Sequence, residues 1–142
     1  MNEAARKSLL PVVPFVVIPA SGDPFLEGKK CDHCGAVFVY RRTACARCFG
    51  RDCLSPHRLS ETGTVCAFTI ITRSFPGVRV PYVSVIVDLD GGGTIKGNLK
   101  GIEHDSGKIR VGLAVSVTYE EAPYGDKAGN SYQMYSFRPV GE

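Results

Sequence analysis

The sequence lacks tryptophan, internal repeats, low-complexity tracts and any apolar run long enough to cross a bilayer. It also lacks a sustained helical period: no stretch keeps an amphipathic pattern beyond two turns, which turns the reading toward β structure. A strongly basic balance is missing as well. The net charge is +3 and the pI near 8.6, too little for a chain whose affinity comes mainly from neutralising phosphates. "GGGTIKG" (91–97) does not end in the Gly-Lys-Ser/Thr of a phosphate loop and reads as a hairpin turn. What is present is ordinary globular material: 44% hydrophobic and 22% charged residues, with sixteen glycines and nine prolines to supply turns.

The first residues imitate a secretory signal, since Arg6 and Lys7 precede an apolar run ending near Ala20 and Ser21. Pro11, Pro14 and Pro19 argue against it, because each lacks a backbone donor and breaks the helix such a segment needs. Glu3 also spoils the positive end. The expectation is a cytoplasmic protein whose residues 1–28 form an extended, proline-rich arm, apolar enough to lie on a surface such as a partner's. "SGDPFLEGKK" reads as a turn leading out of that arm.

"CDHCGAVFVYRRTACARC" holds four of the six cysteines in two Cys-x-x-Cys pairs ten residues apart. A segment this short usually needs a metal or disulfides to fold, the threshold being roughly 40 residues. A redox site would want one such pair near a βαβ pattern, and a disulfide framework would want an exported chain. Neither fits as well as a closed four-thiolate zinc site of Cys31, Cys34, Cys45 and Cys48, which would hold structure and leave no open position for catalysis. Gly35 follows the first pair as a tight-turn residue, whereas the second pair has Phe49 there and its glycine one later, at Gly50. Residues 29–58 are thus expected to be a rubredoxin-like zinc ribbon.

From residue 59 onward, short runs rich in Val, Ile, Thr and Tyr alternate with Gly, Pro and Asp clusters. Strands are predicted at 63–73, 82–90, 94–100, 114–122 and 131–139, with "DGGG" (90–93) turning the second into the third. Five short strands suggest a small antiparallel barrel of the OB type over 59–142. The fold class is mostly β: arm, ribbon, five-stranded barrel.

The remaining chemistry-bearing residues read blandly. Cys53 could replace Cys48 as a ligand, but the spacing favours Cys48. Cys66, on a predicted strand, is expected to be a small buried hydrophobe, and His104 would serve as its base only if the fold brought it close. His33 and His57 are expected to face solvent. Asp88, Asp90, Glu103 and Asp105 read as turn residues. Arg41, Arg42, Arg47 and Arg51, with Lys29 and Lys30, crowd the cysteines, offsetting the charge of a four-thiolate zinc or, alternatively, binding an anion.

The ordered set of "CDHCGAVFVYRRTACARC", "ETGTVCAFTIITR", "PYVSVIVDLDGGGTIKGNL", "VGLAVSVTYEE" and the final Phe137-x-Pro139 resembles the DUF35 family, whose members join a zinc ribbon to an OB-fold and associate with acyl-CoA enzymes. The resemblance implies a non-catalytic subunit docked on a thiolase-fold partner, helping to assemble it or to shape its acyl-CoA channel, with zinc at the four ribbon cysteines and Arg41, Arg42 and Arg47 as a rim for the CoA phosphates. "PFLEGKKCDHCG" is most similar to the small subunits of thiolases in aromatic-compound degradation. Many relatives begin with a helix and a Phe-Trp pair, which this chain lacks. A second class, single-stranded nucleic-acid binding, would use Phe68, Tyr82, Tyr119, Tyr132, Tyr135 and Phe137 as stacking platforms. The acidic residues Asp88, Asp90, Glu120 and Glu121 in the barrel argue against it, and neither membrane nor nucleic acid is expected as a partner.

Overall fold

A computed structural model describes residues 8–20, 22–105 and 107–140, so Glu3, Arg6, Lys7 and Ser21 of the signal-like segment lie outside the described residues. No helix appears among the described residues, and none is long and apolar enough to cross a membrane. Ten strands form two sheets: β1 Leu9–Pro11, β2 Val16–Val17, β3 Phe25–Cys31, β4 Val37–Phe38, β5 Leu54–Arg58, β6 Thr62–Ile71, β7 Tyr82–Leu89, β8 Thr94–Leu99, β9 Ala114–Glu121 and β10 Ser131–Pro139.

β6 to β10 close on themselves. β6 pairs antiparallel with β7, β7 with β8, β9 with β10 and β9 with β6, while β10 meets β8 in parallel at Phe137 opposite Leu99. Closure follows from alternation: Val83, Val85, Val87 and Leu89 point one way along β7, and Ile86 and Asp88 the other. The inward set meets Val65, Ile95, Leu99, Val115 and the fully buried Phe137. Burying such a side chain is worth roughly 1.5–3 kcal/mol, so this interior carries the barrel. The turn at Asp90–Gly93 joins β7 to β8, with Leu89 N–H donating to the Gly93 carbonyl at 2.8 Å. Gly97 is required by space: a Cβ there would lie 2.7 Å from the Phe137 ring and 3.0 Å from Tyr135.

The predicted barrel strands match these to within one or two residues at each end. Two other expectations change. Phe25 to Lys30 of the expected "SGDPFLEGKK" turn instead belong to β3, the central strand of the smaller sheet, which pairs with β2, β4 and β5. Gly28, which suggested a turn, is needed because a Cβ would lie 2.3 Å from the Phe38 carbonyl oxygen on β4. The apolar arm lies on its own chain. β1 runs parallel to β10, with Leu9 opposite Ser131, and Phe15 and Val16 are buried with Leu26, Val39 and Leu59 in the same core as the barrel.

A polar seam marks where the barrel shuts. Lys100 Nζ donates to Glu120 Oε1 at 2.7 Å, Ser136 Oγ donates to the same oxygen at 3.0 Å, and Thr118 Oγ1 lies 3.0 Å from Ser136 Oγ. These contacts tie β9 to β10 and to the end of β8, so the buried hydroxyl of Ser136 is satisfied.

Candidate metal centre

Two equivalent chain reversals build the cysteine site. In the first, Gly35 N–H donates to the Cys31 carbonyl and Cys31 N–H to that of Ala36; in the second, Phe49 N–H donates to the Cys45 carbonyl and Cys45 N–H to that of Gly50. The four distances are 2.8 to 2.9 Å. Each reversal turns its own sulfurs inward and points backbone amides at them. Cys34 N–H reaches Cys31 Sγ at 3.5 Å, and the amides of Arg47 and Cys48 reach Cys45 Sγ at 3.3 and 3.4 Å. The backbone symmetry has a cost on one side, since Phe49 adopts a left-handed φ of 64° where Gly35 has 80°.

The sulfurs of Cys31, Cys34, Cys45 and Cys48 all lie within 4.8 Å of one another. Cys31 and Cys48 are 3.7 Å apart, and Cys34 and Cys45 3.5 Å. A tetrahedral ion with metal–sulfur bonds of about 2.3 Å holds its sulfurs about 3.8 Å apart, so the cage has zinc dimensions. The amide of Cys34, acting against burial, brings the Cys31 thiol down to about 6. At Cys45, burial raises the thiol but the amides of Cys48 and Arg47 outweigh it, leaving it below its usual range. Against the Ala36 amide, burial and the Cys45 sulfur push the Cys34 thiol up to about 11, and against the Gly50 amide, burial and the Cys31 sulfur push Cys48 up. The donor set fits a structural zinc by its sulfur chemistry and its spacing.

Cys53, at the start of β5, comes closer than its spacing suggested. It is buried, with Sγ 3.5 Å from Cys31 Sγ, and burial followed by the Cys31 sulfur pushes its thiol up. The two sulfurs are within reach of an S–H···S hydrogen bond. The sequence signal for this was a fifth cysteine so soon after Cys48, but the left-handed Asp52 that turns Cys53 inward, φ 53°, is not readable from spacing.

The other candidates disperse. Cys66 is exposed and not buried as expected, because it alternates with the buried Gly63 and Val65 and so faces outward; the β-bulge between Val65 and Ala67 shifts the register there. Partial desolvation of its sulfur and the neighbouring Asp88 push its thiol up, the opposite of what a nucleophile requires. Asp88 and Asp90 accept from Thr94 and Thr62, Glu103 pairs with Lys108 at 2.9 Å, and Asp105 caps Gly107 N–H. These are turn ties. Of the aromatic residues, Phe137 is in the core, and the hydroxyls of three others are engaged: Tyr119 donates to Glu61, Tyr132 to Asp126 and Tyr135 to the Lys96 carbonyl.

The basic residues divide into different surroundings. Arg42 stacks its guanidinium 4.5 Å above the Phe38 ring. Arg41 and Lys29, with Val13, Phe15, Val39 and Tyr40, line a cavity of about 310 Å³ between the arm and the ribbon. Arg47 lies on the second reversal beside Cys48. A separate apolar exposure occurs in the β6–β7 loop, where Phe75 is 82% exposed and Val78 and Val80 are also open; Tyr124 of the β9–β10 loop braces it by donating to the Gly77 carbonyl at 3.2 Å.

A four-cysteine ribbon seated on a closed five-stranded OB-type barrel is the class that this fold and site define. The chain belongs to the DUF35 family. Residues 24–52 match the domain described as "ChsH2, rubredoxin-like zinc ribbon domain", and residues 56–120 match "ChsH2, C-terminal OB-fold domain". A DUF35 domain-containing scaffold protein of Methanocaldococcus jannaschii is 24% identical over 118 residues, spanning 81% of this chain and 82% of that one. Among solved structures, a chain of the Ltp2-ChsH2(DUF35) aldolase superposes with a TM-score of 0.65 at 26% identity, over 82% of this chain and 85% of that one.

Proposed function

We propose that this chain is a non-catalytic cytoplasmic subunit that docks on a thiolase-fold enzyme and shapes the site where acyl-CoA undergoes thiolytic or aldol-type carbon–carbon chemistry. The observation that carries it is the likeness, across both domains, to a chain of the Ltp2-ChsH2(DUF35) aldolase. Supporting it, the β6–β7 loop offers Phe75 and two valines on a braced exposed surface, the kind of apolar anchor that a partner covers. Zinc held by Cys31, Cys34, Cys45 and Cys48 would fix the ribbon without taking part in the reaction; its chemistry there is structural. The partner would supply nucleophile, base and oxyanion donors.

In this reading Arg41, with Arg42 and Arg47 nearby in sequence, presents cations to the CoA phosphates, and the cavity beside Arg41 and Lys29 accepts an apolar part of the ligand. The acyl group belongs to aromatic-compound degradation. The functional boundaries are the arm to residue 28, the ribbon over 29–58 and the barrel beyond. The test is affinity purification from the native host under mild conditions, followed by native mass spectrometry and acyl-CoA assays. A co-purifying subunit of thiolase size, with turnover only in the complex, is the expected result. Steady turnover by the purified chain alone would refute it.

A further inference from the structure

Gly50 is not explained by the backbone. Its counterpart in the first reversal is Ala36, whose carbonyl likewise accepts from the first cysteine of its pair and which carries a Cβ without difficulty; Gly50 is also absent from the residues of left-handed φ. What crowds a side chain at Gly50 is a convergence of donor atoms, which would have to give by a few tenths of an ångström to admit one. A Cβ there would lie 3.0 Å from Cys53 Sγ, 3.1 Å from His33 Nδ1 and 3.4 Å from Cys48 Sγ. Those three residues also offer donor atoms that lie within 4.8 Å of one another. The glycine thus keeps open the face of a triangle of two sulfurs and an imidazole nitrogen.

We propose that His33, Cys48 and Cys53 form a second metal site, which shares the Cys48 sulfur with the four-cysteine site and takes a thiophilic d10 divalent ion such as zinc or cadmium. Three donor atoms within 4.8 Å of one another have a common centre no more than about 2.8 Å from each, which a small side-chain shift shortens to the roughly 2.3 Å of a zinc–sulfur bond. The chemistry suits the ion: two thiolates and an imidazole select zinc over magnesium or calcium. Cys48 is the exposed member of the four-cysteine set and the one sulfur that belongs to both donor groups, so one of the lone pairs a metal-bound thiolate keeps is placed to bridge. When the ion binds, the Cys53 thiol proton leaves to solvent and the Cys53–metal bond replaces it. The formal charge of the cluster then changes from −2, for one ion and four thiolates, to −1, for two ions and five. The open side toward Gly50 leaves a position for a water or an exogenous ligand. This inference is independent of the docking reading.

The experiment uses the full reduced chain. Zinc is titrated and counted by native mass spectrometry, and the ions are then replaced by cadmium-113 for NMR. The expected result is two ions per chain, with the two cadmium resonances split by coupling through the shared Cys48 sulfur. Gly50→Ala and Cys53→Ser are expected to hold one ion, and Cys66→Ser two. A wild-type chain that stops at one ion in saturating zinc overturns the proposal. So do two cadmium resonances without mutual coupling, which place the second ion elsewhere, and a second ion bound with unchanged affinity by both variants. The coupling is measured on the wild type, so it decides the matter even where a variant fails to fold.

Discussion

Phe49 occupies, after the second pair of cysteines, the left-handed position that Gly35 occupies after the first, and it does so with its ring 81% exposed. That conformation costs an L-residue about 1–2 kcal/mol, and the exposed ring recovers little of it by burial. Replacing Phe49 by Asn, which tolerates the left-handed region, should leave zinc affinity equal or better, whereas Phe49→Val should weaken it roughly tenfold, matching about 1.4 kcal/mol of added strain. Competition with a chromophoric chelator measures both. Equal affinities for Asn and Val would show that the reversal does not depend on this dihedral.

Gly97 should tolerate no side chain. The buried Phe137 ring and Tyr135 stand so close to its Cα that a Cβ would leave the rings nowhere to move without opening the core. Gly97→Ala is expected to destabilise the barrel by about 1–3 kcal/mol, the usual cost of overpacking. Urea denaturation followed by Tyr fluorescence reads it, with Gly129→Ala, where no atom lies within 4 Å but φ is +91°, as a control for backbone strain alone.

The β9–β10 loop should resist acid. Asp126 accepts from the side-chain and backbone N–H of Asn130, from Tyr132 OH and from Ala128 N–H, and these bonds hold its carboxyl down to about 2. A folded value below the unfolded one, roughly 3.9, means that its contribution to stability is complete above that pH and is lost as pH falls through about 2. Asp126→Asn should therefore lower the melting temperature at neutral pH, and the difference from wild type should vanish toward pH 2. A difference that persists at pH 2 would point to the loss of geometry and not of charge.

Stripping the metal should melt the ribbon and spare the barrel. The apolar residues packed against the buried cysteines are Ala36, Phe38 and Leu54, whereas the interior of β6 to β10 belongs to the larger core, which Phe15, Val16, Leu26, Val39 and Leu59 join from outside the barrel. Hydrogen exchange after chelation should show protection lost over residues 31–53 and retained in β7, β8 and Phe137. Exchange rising equally in both parts would mean that the domains unfold as one unit.

Phe75→Asp should leave the isolated chain folded, because the side chain is outside the core, and should weaken its association with the enzyme partner at least tenfold, as removal of a central aromatic anchor does. Unchanged circular dichroism with lost co-purification is the expected pair of results. Intact co-purification would move the docking surface away from the β6–β7 loop.

The barrel was legible because each of its strands carries its own evidence: alternating branched residues bounded by Gly, Pro and Asp, with "DGGG" announcing a hairpin. The clustering of Cys31, Cys34, Cys45 and Cys48 was legible from spacing. β3 was not, since Gly22, Pro24 and Gly28 punctuate its segment like a turn, and only the close approach of Phe38 shows why glycine belongs at position 28. The parallel pairing of Leu9 with Ser131 joins residues at opposite ends of the chain and leaves no local mark. Cys53 and His33 escaped for the same reason: their meeting at Gly50 depends on how β5 returns along β3. The expectation that Cys66 is buried overlooked alternation: with Val65 facing the core, its neighbour faces out.

β3 ends at Cys31, a residue of the metal cage, and two positions earlier carries Lys29 into the cavity beneath the arm, while its first half is zipped to Val16 and Val17. One rigid ribbon of backbone thus serves as both the anchor of the ion and a wall of the cavity. Zinc loss would not stay a local event at the cysteines: it would slacken that wall, so metal status and the shape presented beside Arg41 are mechanically geared to one another.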